Sequence, residues 1–203
     1  MKKTSTSYHH GNLRKALLEI AVELIRKRGA DALTIREVAR RAGVSHTAPY
    51  RHFKDKASLL AAVAREGFEM MVKETKERFS EITHDTLARL RVCGIAYIEF
   101  AIHNPARYRV MFGSGRPNIK NSALRKASDA SFGLLLECIK ECQKEGTARP
   151  GEPMEMALAA WSIVHGFSML FIDNQIREDG LFAVDRESMM DMVVNNLYRG
   201  FKP

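Results

Sequence analysis

From Gly43 to Lys56 the chain reads G-V-S-H-T-A-P-Y-R-H-F-K-D-K, a segment that gathers hydroxyls, imidazoles, a phenol and cations within a few residues. In a helix begun at Ser45, with about 100° between successive side chains, Pro49 and Phe53 fall on one side. Thr47, Ala48 and Arg51 fall on the other, with Tyr50 and His52 at its edges. The first side packs. The second presents small groups flanked by donors and cations, the set that suits a DNA major groove, where small side chains meet base edges and cations or phenols meet phosphates. An ordinary solvated surface helix has the same look, so the flanking sequence has to decide.

That sequence supplies the positioning elements. Asn12 to Arg28 carries Leu13, Leu17, Ile20, Ala21 and Leu24 as the stripe of an amphipathic helix, with Arg26, Lys27 and Arg28 in its last turn and Gly29 after it. Thr34-Ile35-Arg36-Glu37 reads as a capping box, with Leu33 and Val38 as its hydrophobic staple. Gly43 closes this second helix, and Ser45 is expected to cap a third helix of about two turns, stapled by Val44 and Pro49. Two helices, a tight turn containing Gly and a short third helix make a helix-turn-helix.

The charge sits in the same place. Residues 1 to 56 hold 13 Lys or Arg against 5 Asp or Glu, which accounts for the whole formal charge of +8 on the 203-residue chain. A basic head on a neutral body points to a polyanion, because phosphate neutralisation releases counterions. No head helix pairs an aromatic or leucine face with a lysine face, which argues against a membrane-surface helix.

Met1 to Ser7 is short, basic and hydroxyl-rich and reads as a flexible arm, neither a signal peptide nor an anchor. No apolar run is read as long enough to cross a bilayer, and a cytoplasmic location is expected. The odd number of cysteines, Cys93, Cys138 and Cys142, suits reduced thiols. Cys138 and Cys142 share a helix face, so metal binding or redox sensing with Cys93 or a histidine stands beside the plainer reading of buried free thiols. His9-His10 read as solvated or phosphate-near rather than metal ligands, and neither a metal nor a cofactor is expected.

After Phe53, Asp55 is expected to cap a long helix running to about Phe79, the natural connector between head and body. The body reads as further helices: Thr86 to His103, a short one from Pro105 to Gly113, Ser122 to Glu145, Met154 to Asn174, and Asp185 to Arg199. Gly113 to Asn121 reads as a loop. Met154 to Asn174 is apolar nearly all round and must be buried twice, with another subunit as the second partner. The expected divisions are residues 1–56 as the DNA-binding domain, with residues 1–8 as its arm, 57–79 as the connector, and 80–203 as a regulatory and dimerisation domain.

The head resembles the tetracycline-repressor-like (TetR) family of bacterial transcriptional regulators. The resemblance is carried by Leu33-Thr34-Ile35-Arg36-Glu37-Val38-Ala39, Ala42-Gly43-Val44-Ser45, Tyr50, His52-Phe53, and Lys56 with Leu59-Leu60, and covers about residues 9 to 72. In the body, Trp161 with His165-Gly166, and Tyr108-Arg109-Val110-Met111-Phe112-Gly113, look like the subgroup named for a Trp-His-Gly signature.

This resemblance implies an all-α homodimer of about nine helices that binds a double-stranded operator and releases it when a small molecule binds the body. It places His46, Thr47 and Ala48 at base edges, and Arg36, with Thr34 beside it, where a further base or phosphate contact is made. Ser45, Tyr50, Arg51, His52 and Lys56 fall where phosphates are held. Pro49 departs from the usual branched aliphatic residue, and His46 from a longer donor. Trp161 and His165, one turn apart, are candidate ligand contacts, and Tyr97, Tyr108, Met111 and Phe112 are candidate lining of the same cavity; each also reads as ordinary core.

The expected function is a ligand-responsive repressor, dimeric through its last two helices. An enzyme is not expected: His165 would be its only acid or base, with no nucleophile, paired carboxylates or phosphate loop nearby in sequence. A helical interaction protein without DNA binding fits poorly with the segregated charge.

Overall fold

The computed structural model describes residues 13–82, 85–113, 122–177 and 184–203. Among them are eight α-helices, one 3-10 turn and no strand, so the all-α expectation holds. The residues divide into two units.

The first unit takes in the described residues of Met1–Glu66 and Ala106–Leu124. Helix α1 (Leu13–Arg28) buries Leu17, Leu18, Ala21, Leu24 and Ile25, one stripe at helical spacing, and α2 (Ile35–Ala42) packs Ile35, Val38 and Ala39 against it. The hydroxyl of Thr34 accepts the N–H of Glu37 at 3.2 Å, one half of the expected capping box. The reciprocal half is absent because the Glu37 carboxylate turns to Arg40 and Arg41, at 2.7 and 3.3 Å. Gly43 ends α2 in the left-handed region, φ 68°, and the N–H of Val44 reaches back to the carbonyl of Ala39.

The expected two-turn third helix is instead a single 3-10 turn, Ala48–Arg51. Helix α3 (Lys56–Phe79) then starts on a reciprocal cap: Ser58 N–H donates to Asp55 Oδ1 at 2.7 Å and Asp55 N–H donates to Ser58 Oγ at 3.0 Å. The first unit also holds most of α5 (Pro105–Phe112), where Arg107 pairs with Glu66 at 3.7 Å.

The second unit, Gly67–Pro105 with the described residues of Arg125–Pro203, contains the rest of α3 with α4 (Thr86–His103), most of α6 (Ser122–Lys144), α7 (Pro153–Ile172) and α8 (Arg186–Arg199). Its core is built from Leu90 and Ile98 of α4, Cys138, Ile139 and Cys142 of α6, Met156, Ala160, Val164 and Phe167 of α7, and Met189, Val194 and Tyr198 of α8. Asp85 and Asp185 cap α4 and α8 through Oδ1, at 2.8 and 2.9 Å from the N–H of Ala88 and Ser188. The Tyr198 hydroxyl donates to the carbonyl of Leu87 at 3.0 Å and fastens α8 to the first turn of α4.

Helix α7 leaves one expectation open and corrects another. Only one of its sides is in the core; Leu158, Ile163 and Leu170 are 53%, 45% and 47% exposed. It is also long and apolar enough, by length and composition, to cross a bilayer, although here its Met156, Ala160 and Val164 face packs on other helices of the unit. Residues 1–8, His9-His10 and positions 114–121 of the expected loop lie outside the described residues.

Candidate nucleic-acid interface and regulatory site

Pro49 explains the 3-10 turn. In a helix capped by Ser45, the N–H at position 49 would donate to the carbonyl of Ser45, and proline has none. That carbonyl takes the N–H of Ala48 at 3.1 Å instead, and the carbonyl of Thr47 takes that of Tyr50 at 3.2 Å, both bonds spanning three residues rather than four. Ser45 does not cap: its hydroxyl lies 3.1 Å from that of Thr47.

The tighter turn still sorts the side chains into two sides. Pro49 and Phe53 are buried, with the guanidinium of Arg14 5.4 Å above the Phe53 ring. Ser45, His46, Thr47, Tyr50, Arg51 and His52 are exposed, Ala48 is half-buried, and Tyr50 holds 51% of its surface in solvent. Thr34 is already engaged as the cap of α2, whereas Arg36 in the first turn of that helix projects into solvent. Lys56 donates to the carbonyl of Asp31 at 2.7 Å, which fixes its ammonium beside the start of α3 with N–H groups to spare.

The acidic residues of α1 and α2 are occupied. Glu19 pairs with Lys15 at 3.9 Å, Glu23 with Lys27 at 2.6 Å and Arg41 at 3.5 Å, and the hydrogen bond from Arg40 above all holds the Glu37 carboxyl down at about 2. Among the described residues Arg36 and Arg51 have no carboxylate partner within ion-pair distance. The carboxylates therefore fix the scaffold and leave the exposed cations to set the field.

In the second unit three of the candidate ligand residues meet. The Trp161 indole N–H donates to the Tyr97 hydroxyl at 3.0 Å, and that hydroxyl lies 2.9 Å from Nδ1 of His165. Which of the two groups donates in that second bond is set by the tautomer of the imidazole. Burial favours the neutral ring, pushing His165 below its ordinary value. Phe132 closes one side, its ring edge-on to Trp161 at 6.0 Å. Tyr108, Met111 and Phe112 belong to the first unit, where Tyr108 and Met111 are buried and the Tyr108 and Phe112 rings are 4.9 Å apart.

A feature missed in the sequence is an open cavity of about 400 Å³ in the second unit, lined by Lys76 and Phe79 of α3, Arg89 of α4, and Leu134, Glu137, Cys138 and Glu141 of α6. Among the described residues no group of three or more His, Cys, Asp and Glu side chains is placed to hold a metal ion.

Residues 17–63, which hold the α2 turn and most of the exposed donors, match the family described as "Bacterial regulatory proteins, tetR family". Residues 90–197, more than half the chain, match "Tetracyclin repressor-like, C-terminal domain". The chain belongs to the TetR family. The TetR match at both ends makes the head a DNA-binding helix-turn-helix of a transcription regulator, and points away from an enzyme. Among curated proteins the chain is 28% identical over 142 residues to the nucleoid occlusion factor SlmA of Vibrio cholerae, covering 70% of this chain and 71% of that one. Among solved structures it is similar to a protein of unknown function from Rhodococcus sp. RHA1, with TM-score 0.84 and 30% identity over 98% of this chain and 100% of that one. AibR, solved in complex with isovaleryl coenzyme A and operator DNA, shares the fold with TM-score 0.70 at 21% identity, covering 93% and 99% of the two chains.

Proposed function

We propose that this TetR-family protein is a dimeric, cytoplasmic repressor that binds a pseudo-palindromic operator and releases it when a small molecule occupies the body. The observation that carries the reading is the partition of the head: carboxylates consumed internally, and Arg36, Tyr50, Arg51 and His52 exposed around one short turn. His46, Thr47 and Ala48 would read bases, while Ser45, Tyr50, Arg51, His52 and Lys56 would hold phosphates, with Arg36 as a further contact and Thr34 keeping α2 in place.

The exposed Leu158, Ile163 and Leu170 of α7 and Met192 of α8 support dimerisation through the last two helices, since such a cluster on a monomer is costly to leave in water. Two heads so joined would read two half-sites at a fixed separation. Trp161, Tyr97 and His165 are the proposed ligand contacts in the second unit, with Trp161, His165 and Gly166 as a Trp-His-Gly signature. The AibR complex, which holds isovaleryl coenzyme A together with operator DNA, supports a body that binds organic ligands. By linkage, a ligand that weakens DNA binding is itself weakened by DNA to the same factor.

The test is fluorescence anisotropy with the promoter next to the gene: salt-sensitive, sequence-preferring binding is expected, and binding without preference would sink the operator reading. The SlmA likeness favours a second reading, in which the same head serves nucleoid occlusion. Mapping of bound sites separates the two, because a repressor occupies few promoters and a nucleoid occlusion factor many chromosomal sites.

A further inference from the structure

We propose that Arg14 of α1 is a further phosphate-binding residue of the head: the Phe53 ring holds its guanidinium beside the exposed turn, where it takes one DNA phosphate. The assignment rests on the head binding DNA and adds a contact from α1, a helix that otherwise serves as scaffold.

Arg14 occupies a position where the pattern of α1 calls for an apolar residue. Leu17, Leu18, Ala21 and Ile25 follow it at the spacing of one helix face, and all four are buried. Arg14 begins that stripe and is half-buried. The aliphatic stem of an arginine lies along apolar surface while its head group reaches out of it. Here the head group reaches the Phe53 ring, 5.4 Å from the centroid.

That ring belongs to the exposed turn. Phe53 is buried, and its N–H donates to the carbonyl of Pro49 at 2.9 Å, which ties it to the segment that presents Thr47, Tyr50 and Arg51. The exposed imidazole of His52 has its centroid 6.4 Å from the same ring. One buried phenyl group therefore has a cation from α1 and a donor from the turn as neighbours.

The charge of Arg14 is unspent. Among the described residues it has no hydrogen-bond acceptor and no carboxylate within ion-pair distance, whereas Lys15 pairs with Glu19 at 3.9 Å and Lys27 with Glu23 at 2.6 Å. The first acidic residue of the sequence is Glu19, so nothing earlier in the chain neutralises it. Helix stability does not account for the residue either, because a cation in the first turn meets the positive end of the macrodipole. A guanidinium over an aromatic face is held by its charge and keeps N–H groups for an anion. Those groups fork in a way that matches two phosphate oxygens, and a contact of this kind positions the head without reading sequence.

The experiment is fluorescence anisotropy of the full chain with the promoter duplex next to the gene and with a scrambled duplex of equal length, over a range of salt concentrations. Wild type, Arg14→Met, Arg14→Gln and Arg14→Lys are compared, with Tm recorded for each. Arg14→Met continues the apolar stripe and removes only the charge. The expected result is a Tm no lower than that of the wild type, a slope of log affinity against log salt lessened by about 1, and the same fold loss on both duplexes. Arg14→Gln shows the same lessened slope and decides if the Met variant does not fold; Arg14→Lys restores the wild-type slope. A wild-type slope in the folded neutral variants overturns the assignment, and so does a loss confined to the promoter duplex, which belongs to a base contact. A wild type without salt-sensitive binding to either duplex overturns DNA binding by the head itself, a result distinct from a wild type that binds and variants that match it.

Discussion

The Tyr97 hydroxyl lies 2.9 Å from His165 Nδ1 while accepting the Trp161 indole N–H at 3.0 Å, so one phenol on α4 sets the orientation of two side chains on α7. Tyr97→Phe removes both bonds and keeps the ring. The expected cost is about 1 kcal/mol, since the indole N–H is half-buried and water replaces part of the lost bond. Trp161 is the only tryptophan in the chain, so its emission spectrum reads the change directly. A shift in emission with a small fall in Tm is expected; an unchanged spectrum would remove the phenol from the site.

His165 gives a pH dependence with a definite sign. Burial lowers its pKa in the folded state below 6.5, so the unfolded chain binds the extra proton first. Its contribution is full above 6.5 and is lost as pH falls from 6.5 through the folded value. Urea melts of the wild type and His165→Gln at several pH values check this: the difference between them should be flat above pH 7 and should move against the wild type below 6.5. A difference that moves the other way would mean the imidazole is charged in the native state.

Two local substitutions probe the frame of the head. Gly43→Ala places a side chain at φ 68°, with nothing within 4 Å to clash, so the cost is conformational, about 1 kcal/mol. Thr34→Ala removes the cap of α2 and should cost about 1 kcal/mol as well. Thermal melts of both should show modest losses, larger than for an exposed control such as Arg26→Ala.

Pro49→Ala tests the origin of the 3-10 turn. The new amide at position 49 should donate to the Ser45 carbonyl, lengthen the turn toward an α-helix and show protection in hydrogen exchange. An unprotected amide at that position would place the cause of the 3-10 geometry elsewhere.

Much of the fold was legible because its punctuation is local. Thr86 to His103 was bounded by its own cap and by Asn104-Pro105, and Asp55, Asp185, Thr34 and Gly43 do in space what their types imply. Expectations went wrong where two local signals competed for one group. Glu37 suits both a capping box and a pair with Arg40, and the arginines won; Ser45 suits an N-cap, but the missing N–H of Pro49 made the turn too tight. Helix α7 is apolar on more than one side, and hydropathy alone does not tell which side packs within the chain; Leu158, Ile163 and Leu170 are on the exposed one. The cavity depends on how α3, α4 and α6 meet, which no spacing within one helix encodes.

The central claim is that the exposed cations and phenol of the head hold DNA phosphates. The most direct measurement is the salt dependence of binding to a promoter duplex for the wild type, Arg36→Ala, Arg51→Ala and Tyr50→Phe, with Tm recorded for each. The account predicts that log affinity falls linearly with log salt, that the slope lessens by about 1 for each phosphate contact an arginine variant loses, and that Tm is unchanged. Equal slopes for wild type and both arginine variants, with folded proteins, would contradict it.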